Sequence, residues 1–184
     1  MKIIVTESQY KRILREEEEQ KVLHIPSMRF FNNDWYKLQK FLNRKGNPPY
    51  SIGGDLDLEN TSIESLGNLT SVGGSLLLGG TPIESLGNLT SVGGSLNLKY
   101  TSIQSLGNLT SVGGYLDLRK TPIESLGNLQ SVGNWLDLSR TPIKSLGNLI
   151  SVGGSLDLYD TPLSEKYTEE QIPQMVDVGG DIFM

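Results

Sequence analysis

The chain has 184 residues, of which 21 are Gly and none Cys, with 36% hydrophobic residues and a formal net charge of −5. Without cysteine there is no disulfide framework, thiol nucleophile or cysteine zinc site, and the glycine does not fall at every third residue as in collagen. No 18-residue apolar stretch occurs, and the first residues hold only the short run Ile3, Ile4, Val5. The expectation is a soluble cytoplasmic protein with no signal peptide and no membrane partner.

Charge divides the chain. Residues 1–50 carry ten Lys/Arg against six Asp/Glu, whereas residues 51–184 carry six against fifteen. So acidic a second part repels phosphate backbones, and no nucleic-acid partner is expected.

In chain order, Thr6 with Gln9 matches a capping box opening a helix with Tyr10, Ile13 and Leu14 on one face, followed by the charged run from Arg15. His24 then lies in a linker, Val22–Pro26. A second helix is expected from Asn33 or Asp34. It places Trp35, Leu38, Phe41 and Leu42 on one stripe and is stopped by Gly46, Pro48 and Pro49. Residues 1–50 therefore read as a helical N-terminal region and cap.

From Ser51 the sequence aligns in rows of twenty without a gap. The rows begin at Ser51, Ser71, Ser91, Ser111, Ser131 and Ser151 and share S-[VI]-G-[GN]-x-L-x-L-x-x-T-x-[IL]-x-S-L-G-N-L-x. A seventh Gly-Gly start, GGDIFM, follows a six-residue insertion. One row cannot bury enough apolar surface to offset its ordering entropy, so the rows must stack on one another. The pattern resembles the leucine-rich repeat, with Gly at its first Leu position and Thr61, Thr81, Thr101, Thr121, Thr141 and Thr161 where that family carries Asn or Cys. It is also similar to the repeats of receptor L domains and of short-repeat proteins from bacteria and their viruses. The resemblance implies a β-rich solenoid of about seven rungs with one parallel sheet over residues 51–163. The insertion and last rung, residues 164–184, are expected to fold over its end as a short helix or loop.

Within each row the L-x-L pair should face inward and the x residues solvent. Gly-Gly is expected to turn the chain with positive φ, as is the Gly of S-L-G-N-L. The Thr column and Asn68, Asn88, Asn108, Asn128 and Asn148 should form stacked hydrogen-bond ladders.

Enzyme motifs are missing: there is no Walker loop, Rossmann fingerprint, H-E-x-x-H or EF-hand loop, and His24 has no second His or Cys to share a metal. No catalytic residue, metal or cofactor is expected. The N-x-[ST] sequons at Asn60, Asn68, Asn88 and Asn108 are read as by-products of the repeat.

What varies between rows is what a partner can read. Tyr115 and Trp135 should stack as neighbours on adjacent rungs beside Arg119 and Arg140, a composition enriched at interface hot spots. Tyr100 and Tyr159 complete the candidate partner-binding set. Asp117, Asp137 and Asp157 form a column of like charges to be neutralised by Arg119, Lys120 and Arg140, or else by a calcium ion. As an acid and base pair Asp117 and Asp137 are unconvincing, because identical register gives them similar environments. The function expected is a non-catalytic protein-protein interaction module. The alternative is a structural or assembly component, self-associating or decorating a larger particle.

Overall fold

A computed structural model describes residues 22–184, so the helix expected from Thr6 lies outside the described residues. The chain winds into a parallel β-solenoid whose rungs repeat every twenty residues with Leu at fixed positions. Where one parallel sheet was expected, each rung carries two short strands that build two parallel sheets.

The first sheet is formed by β1 (Leu23–Ile25), β2 (Tyr50–Ile52), β4 (Leu69–Val72), β6 (Ser91–Val92), β8 (Ser111–Val112), β10 (Ser131–Val132), β12 (Ser151–Val152) and β14 (Asp177–Val178). The second is formed by β3 (Leu56–Asp57), β5 (Leu76–Leu77), β7 (Leu96–Asn97), β9 (Leu116–Asp117), β11 (Leu136–Asp137), β13 (Leu156–Asp157) and β15 (Ile182–Phe183). From Ser51 to Asp157 the register is in step, with Leu116 opposite Leu136 and Ser111 opposite Ser131, after a one-residue irregularity between Tyr50 and Ser51. The inserted residues shift it at the last rung, where Ser151 pairs with Asp177 and Leu156 with Ile182.

The core is one column of apolar side chains. The rung that starts at Ser111 supplies Val112, Leu116, Leu118, Ile123, Leu126 and Leu129, all buried, and the neighbouring rungs repeat the set. Such burial, at roughly 25 cal/mol per Å² of apolar surface, is the main favourable contribution to the stack.

The break between the two sheets sits at Gly-Gly, and its chemistry differs from the expectation. These glycines do not have positive φ; the Gly of S-L-G-N-L does, at 59° for Gly67 and 57° for Gly127. The first glycine of each pair is required instead by close approach. A Cβ on Gly179 would lie 2.6 Å from the carbonyl oxygen of Gly153, and Gly113 is tighter still against Gly93.

The Thr column also works differently from a ladder. Each Thr hydroxyl donates within its own rung to the carbonyl three residues earlier, as Thr121 does to Leu118 at 2.8 Å and Thr141 to Leu138 at 2.6 Å. At this corner the carbonyl already accepts from the backbone amide of the same Thr, at 3.1 Å for Thr121 and Leu118, and the hydroxyl adds a second donor that fastens the turn. The hydroxyl ladder between rungs belongs to another column: Thr70 donates to the Tyr50 carbonyl, Thr90 to Thr70 and Thr110 to Thr90, each at 3.0 Å. The Asn column lies at the surface and links rungs only in part, as from Asn88 to Asn68 at 3.4 Å.

At the N-terminal side, His24 sits in strand β1 rather than a linker and shares a 3.1 Å hydrogen bond with Ser51 Oγ. Helix α1 (Trp35–Arg44) starts where expected, its N-cap Asp34 accepting from the Lys37 amide at 3.1 Å. Trp35, Leu38 and Leu42 are buried in the core, and Phe41 packs on Phe31 with ring centroids 5.4 Å apart. After the sixth rung, Thr161 caps the short helix α2 (Pro162–Lys166). That helix buries Leu163, and the insertion after it returns Ile172 and Val176 to the core. Among the described residues no helix is long and apolar enough to cross a membrane.

Candidate functional site

The outer face of the second sheet is built from three side-chain columns, and two of them have structural duties that the row pattern conceals. In the middle column the Asp or Asn carbonyl oxygen caps the turn after the strand by accepting from the amide two residues later. Asp57 accepts from Glu59, Asn97 from Lys99 and Asp117 from Arg119, each at 3.1 Å. Asp137 accepts from Ser139 at 3.0 Å and Asp157 from Tyr159 at 2.9 Å. These are Asx turns, which use an acceptor oxygen on a short side chain and no charge; the rung with Leu77 in this column turns at Gly79 and Gly80 without one. The expectation that this column faces solvent fails at Asn97, Asp117 and Asp137, which are 5–6% exposed because the side chains of flanking columns cover them.

The first column holds the rungs in register. Its side-chain oxygen accepts from the amide of the same position one rung on: Asp55 from Ser75 at 2.7 Å, Ser75 from Ser95 at 3.1 Å, and Ser95 from Tyr115 at 3.2 Å. The chain of bonds then stops. Tyr115 and Trp135 occupy the next two positions, and neither side chain has an acceptor within reach of the following amide. It resumes where Ser155 accepts from Asp181 at 3.2 Å. Two rungs therefore forgo an inter-rung hydrogen bond, worth about 1 kcal/mol each, and carry instead an aromatic ring that stays 43% and 44% exposed.

Those rings do not stack on one another as expected; the one ring pair among the described residues is Phe31 with Phe41. They line a shared concave pocket of about 250 Å³ together with Asp117, Asp137, Arg119 and, from the preceding rung, Asn97 and Lys99. Row position alone shows Asn97 and Lys99 in the same columns one rung earlier. Their membership of the pocket is a fact of the structure that the row does not give.

Arg119 resolves the carboxylate column. It donates to Asp117 through Nε at 3.0 Å and Nη2 at 2.6 Å, while its Nε lies 3.0 Å from Asp137 Oδ2. The Asp117 carboxylate in turn drives the guanidinium pKa further up. Of the three cations expected to neutralise the column, only Arg119 does so among the described residues. Lys120 instead places Nζ 5.0 Å from the centre of the Tyr100 ring. Burial, with the charges of Asp157 and Asp117, pushes the Asp137 carboxyl above its ordinary range against the opposing hydrogen bonds from Ser139. No group of acidic or imidazole side chains among the described residues is arranged to hold a metal ion, calcium included.

Tyr100, Lys120 and Arg140 share a third peculiarity. They occupy the corner after the strand with φ of 59°, 56° and 58°, where the first two rungs have Asn60 and Gly80. Left-handed backbone suits Gly and Asn and costs other residues roughly 1–2 kcal/mol. Tyr100, Arg140 and Tyr159 are exposed and do not line the pocket. A larger groove of about 470 Å³ runs along the first sheet, but Ser, Val and Gly line it identically on each rung. It offers no feature by which one ligand could be told from another.

No family model, curated protein or solved structure matches the chain.

Proposed function

We propose that the protein is a non-catalytic binding module of the leucine-rich-repeat kind, engaging a protein partner through the outer face of the second sheet around Tyr115 and Trp135. One observation carries this reading. The column that holds the rungs together by Ser and Asp acceptors is interrupted at two adjacent rungs, and both interruptions put an aromatic ring on one pocket. Folding alone favours Ser at both positions for the hydrogen bond it makes. The corner residues Tyr100, Lys120 and Arg140, which hold left-handed backbone where Asn60 and Asp160 hold it on rungs outside the pocket, lie on the three rungs that line it. Departures from what the repeat needs thus cluster in space, as expected of a surface kept for recognition.

The test is affinity capture with the full chain, its Tyr115→Ala/Trp135→Ala variant and an Ile150→Ala control, whose side chain is exposed next to the first sheet. A specific partner identified on the parent and the control should fall at least about 30-fold in affinity on the double variant, the loss of one hot-spot anchor. A partner retained in full by the double variant would place recognition on another face.

A further inference from the structure

Resting on the reading that the Tyr115 and Trp135 face is the binding surface, we infer that its pocket seats one neutral sugar ring of an oligosaccharide. Size sets the first limit. At about 250 Å³ the pocket is below the roughly 300–1,000 Å³ of sites that take drug-sized ligands, so the occupant is a single ring or side chain.

Charge sets the second limit. Asp117 and Asp137 are matched in number by Lys99 and Arg119, leaving the lining neutral. A cationic side chain would compete with Arg119, which already spans both carboxylates. An anionic one would be pressed against Asp137, whose charge is already disfavoured by burial and by its acidic neighbours. A purely apolar side chain would strip water from Asn97, Asp117 and Asp137 and return no hydrogen bonds.

The remaining capacity fits hydroxyl groups. Asp137 Oδ1 is filled by the amide and hydroxyl of Ser139, but Oδ2 faces only Arg119 Nε. Asp117 Oδ2 accepts only from Arg119 Nη2, and Arg119 Nη1 makes no hydrogen bond among the described residues. An ionised carboxylate has about four acceptor sites and a guanidinium five N–H donors, so the site offers free acceptors and free donors side by side. Vicinal hydroxyls, each both donor and acceptor, satisfy the two kinds at once. The C–H face of the ring has two half-exposed aromatic rings on which to pack. The carboxylates are held by their turn bonds before any ligand arrives, which limits the entropy lost on binding.

The test is titration calorimetry of the full chain with soluble neutral oligosaccharides of glucose, galactose, mannose and N-acetylglucosamine. Three variants accompany it: Trp135→Ala, Trp135→Phe and Asp137→Asn. The last keeps its turn, since Asn97 makes the same bond two positions away in the column, and thermal melts establish that each variant folds. Saturable binding of one sugar that weakens tenfold or more in Trp135→Ala and in Asp137→Asn, and recovers in Trp135→Phe, is the expected result. Sugar binding indifferent to all three variants would overturn the inference. So would the absence of any sugar binding; if a protein partner were still captured in a Tyr115- and Trp135-dependent way, the binding face would stand and only its sugar would fall.

Discussion

Arg140→Gly should stabilise the fold while weakening recognition. Arg140 holds φ at 58°, and its side chain is exposed and forms no ion pair among the described residues, so its removal costs little packing. Release from left-handed backbone returns roughly 1–2 kcal/mol. The freer unfolded chain that Gly brings takes back about 0.4–1 kcal/mol. The net gain is about 0–1.6 kcal/mol, centred at about 0.8 kcal/mol, or a rise in Tm of roughly 2–3 °C at that centre for a chain of this size. Arg140→Ala removes the same side chain but keeps the strained backbone, and should melt at or below the parent. Differential scanning calorimetry of the three proteins decides the matter. If the Gly variant melts no higher than the Ala variant, the corner is not strained and its residues carry no sign of selection for recognition.

Three other substitutions address separate parts of the structure. Gly113→Ala drives a Cβ into the Gly93 carbonyl and should cost about 3 kcal/mol in chemical denaturation; a loss below 1 kcal/mol would mean the rungs can separate locally. Thr121→Val removes the hydroxyl donor to the Leu118 carbonyl but leaves the backbone amide of residue 121 bonded to it, and should cost about 0.5–1.5 kcal/mol by the same assay. Asp137→Asn removes a carboxyl whose folded-state pKa is raised, so the folded parent binds the extra proton. The parent's stability relative to the variant is then greatest at and below the ordinary carboxylate pKa and declines as pH rises through the raised value. Melts across that acid range that show the parent gaining on the variant with rising pH would reverse the assignment.

The twenty-residue period, the inward Leu pairs and the helix beginning at Trp35 were legible because each rests on side-chain spacing, which sequence displays directly. Contacts between rungs were not. Gly113 reads as a flexible residue until the Gly93 carbonyl is seen against it. Thr121 reads as one step of a ladder until its hydroxyl is found on Leu118. The Asp117 column reads as a row of exposed charges because nothing in a single row shows that each oxygen closes its own turn. At the site, Tyr115 and Trp135 were visible as departures from Ser. What those departures displaced became clear only when Ser95 was seen accepting from the Tyr115 amide and no residue doing so for the next.

The Asx column has a consequence for how such a face can change. Its turn asks only for a carbonyl oxygen on a short side chain, and Asn97 and Asp117 supply it at the same 3.1 Å. Amide and carboxylate are therefore interchangeable as far as the backbone is concerned, at each rung separately. The electrostatic potential beneath the aromatic rings can be rewritten one unit charge at a time, with selection for binding and selection for folding acting on different atoms of a single residue.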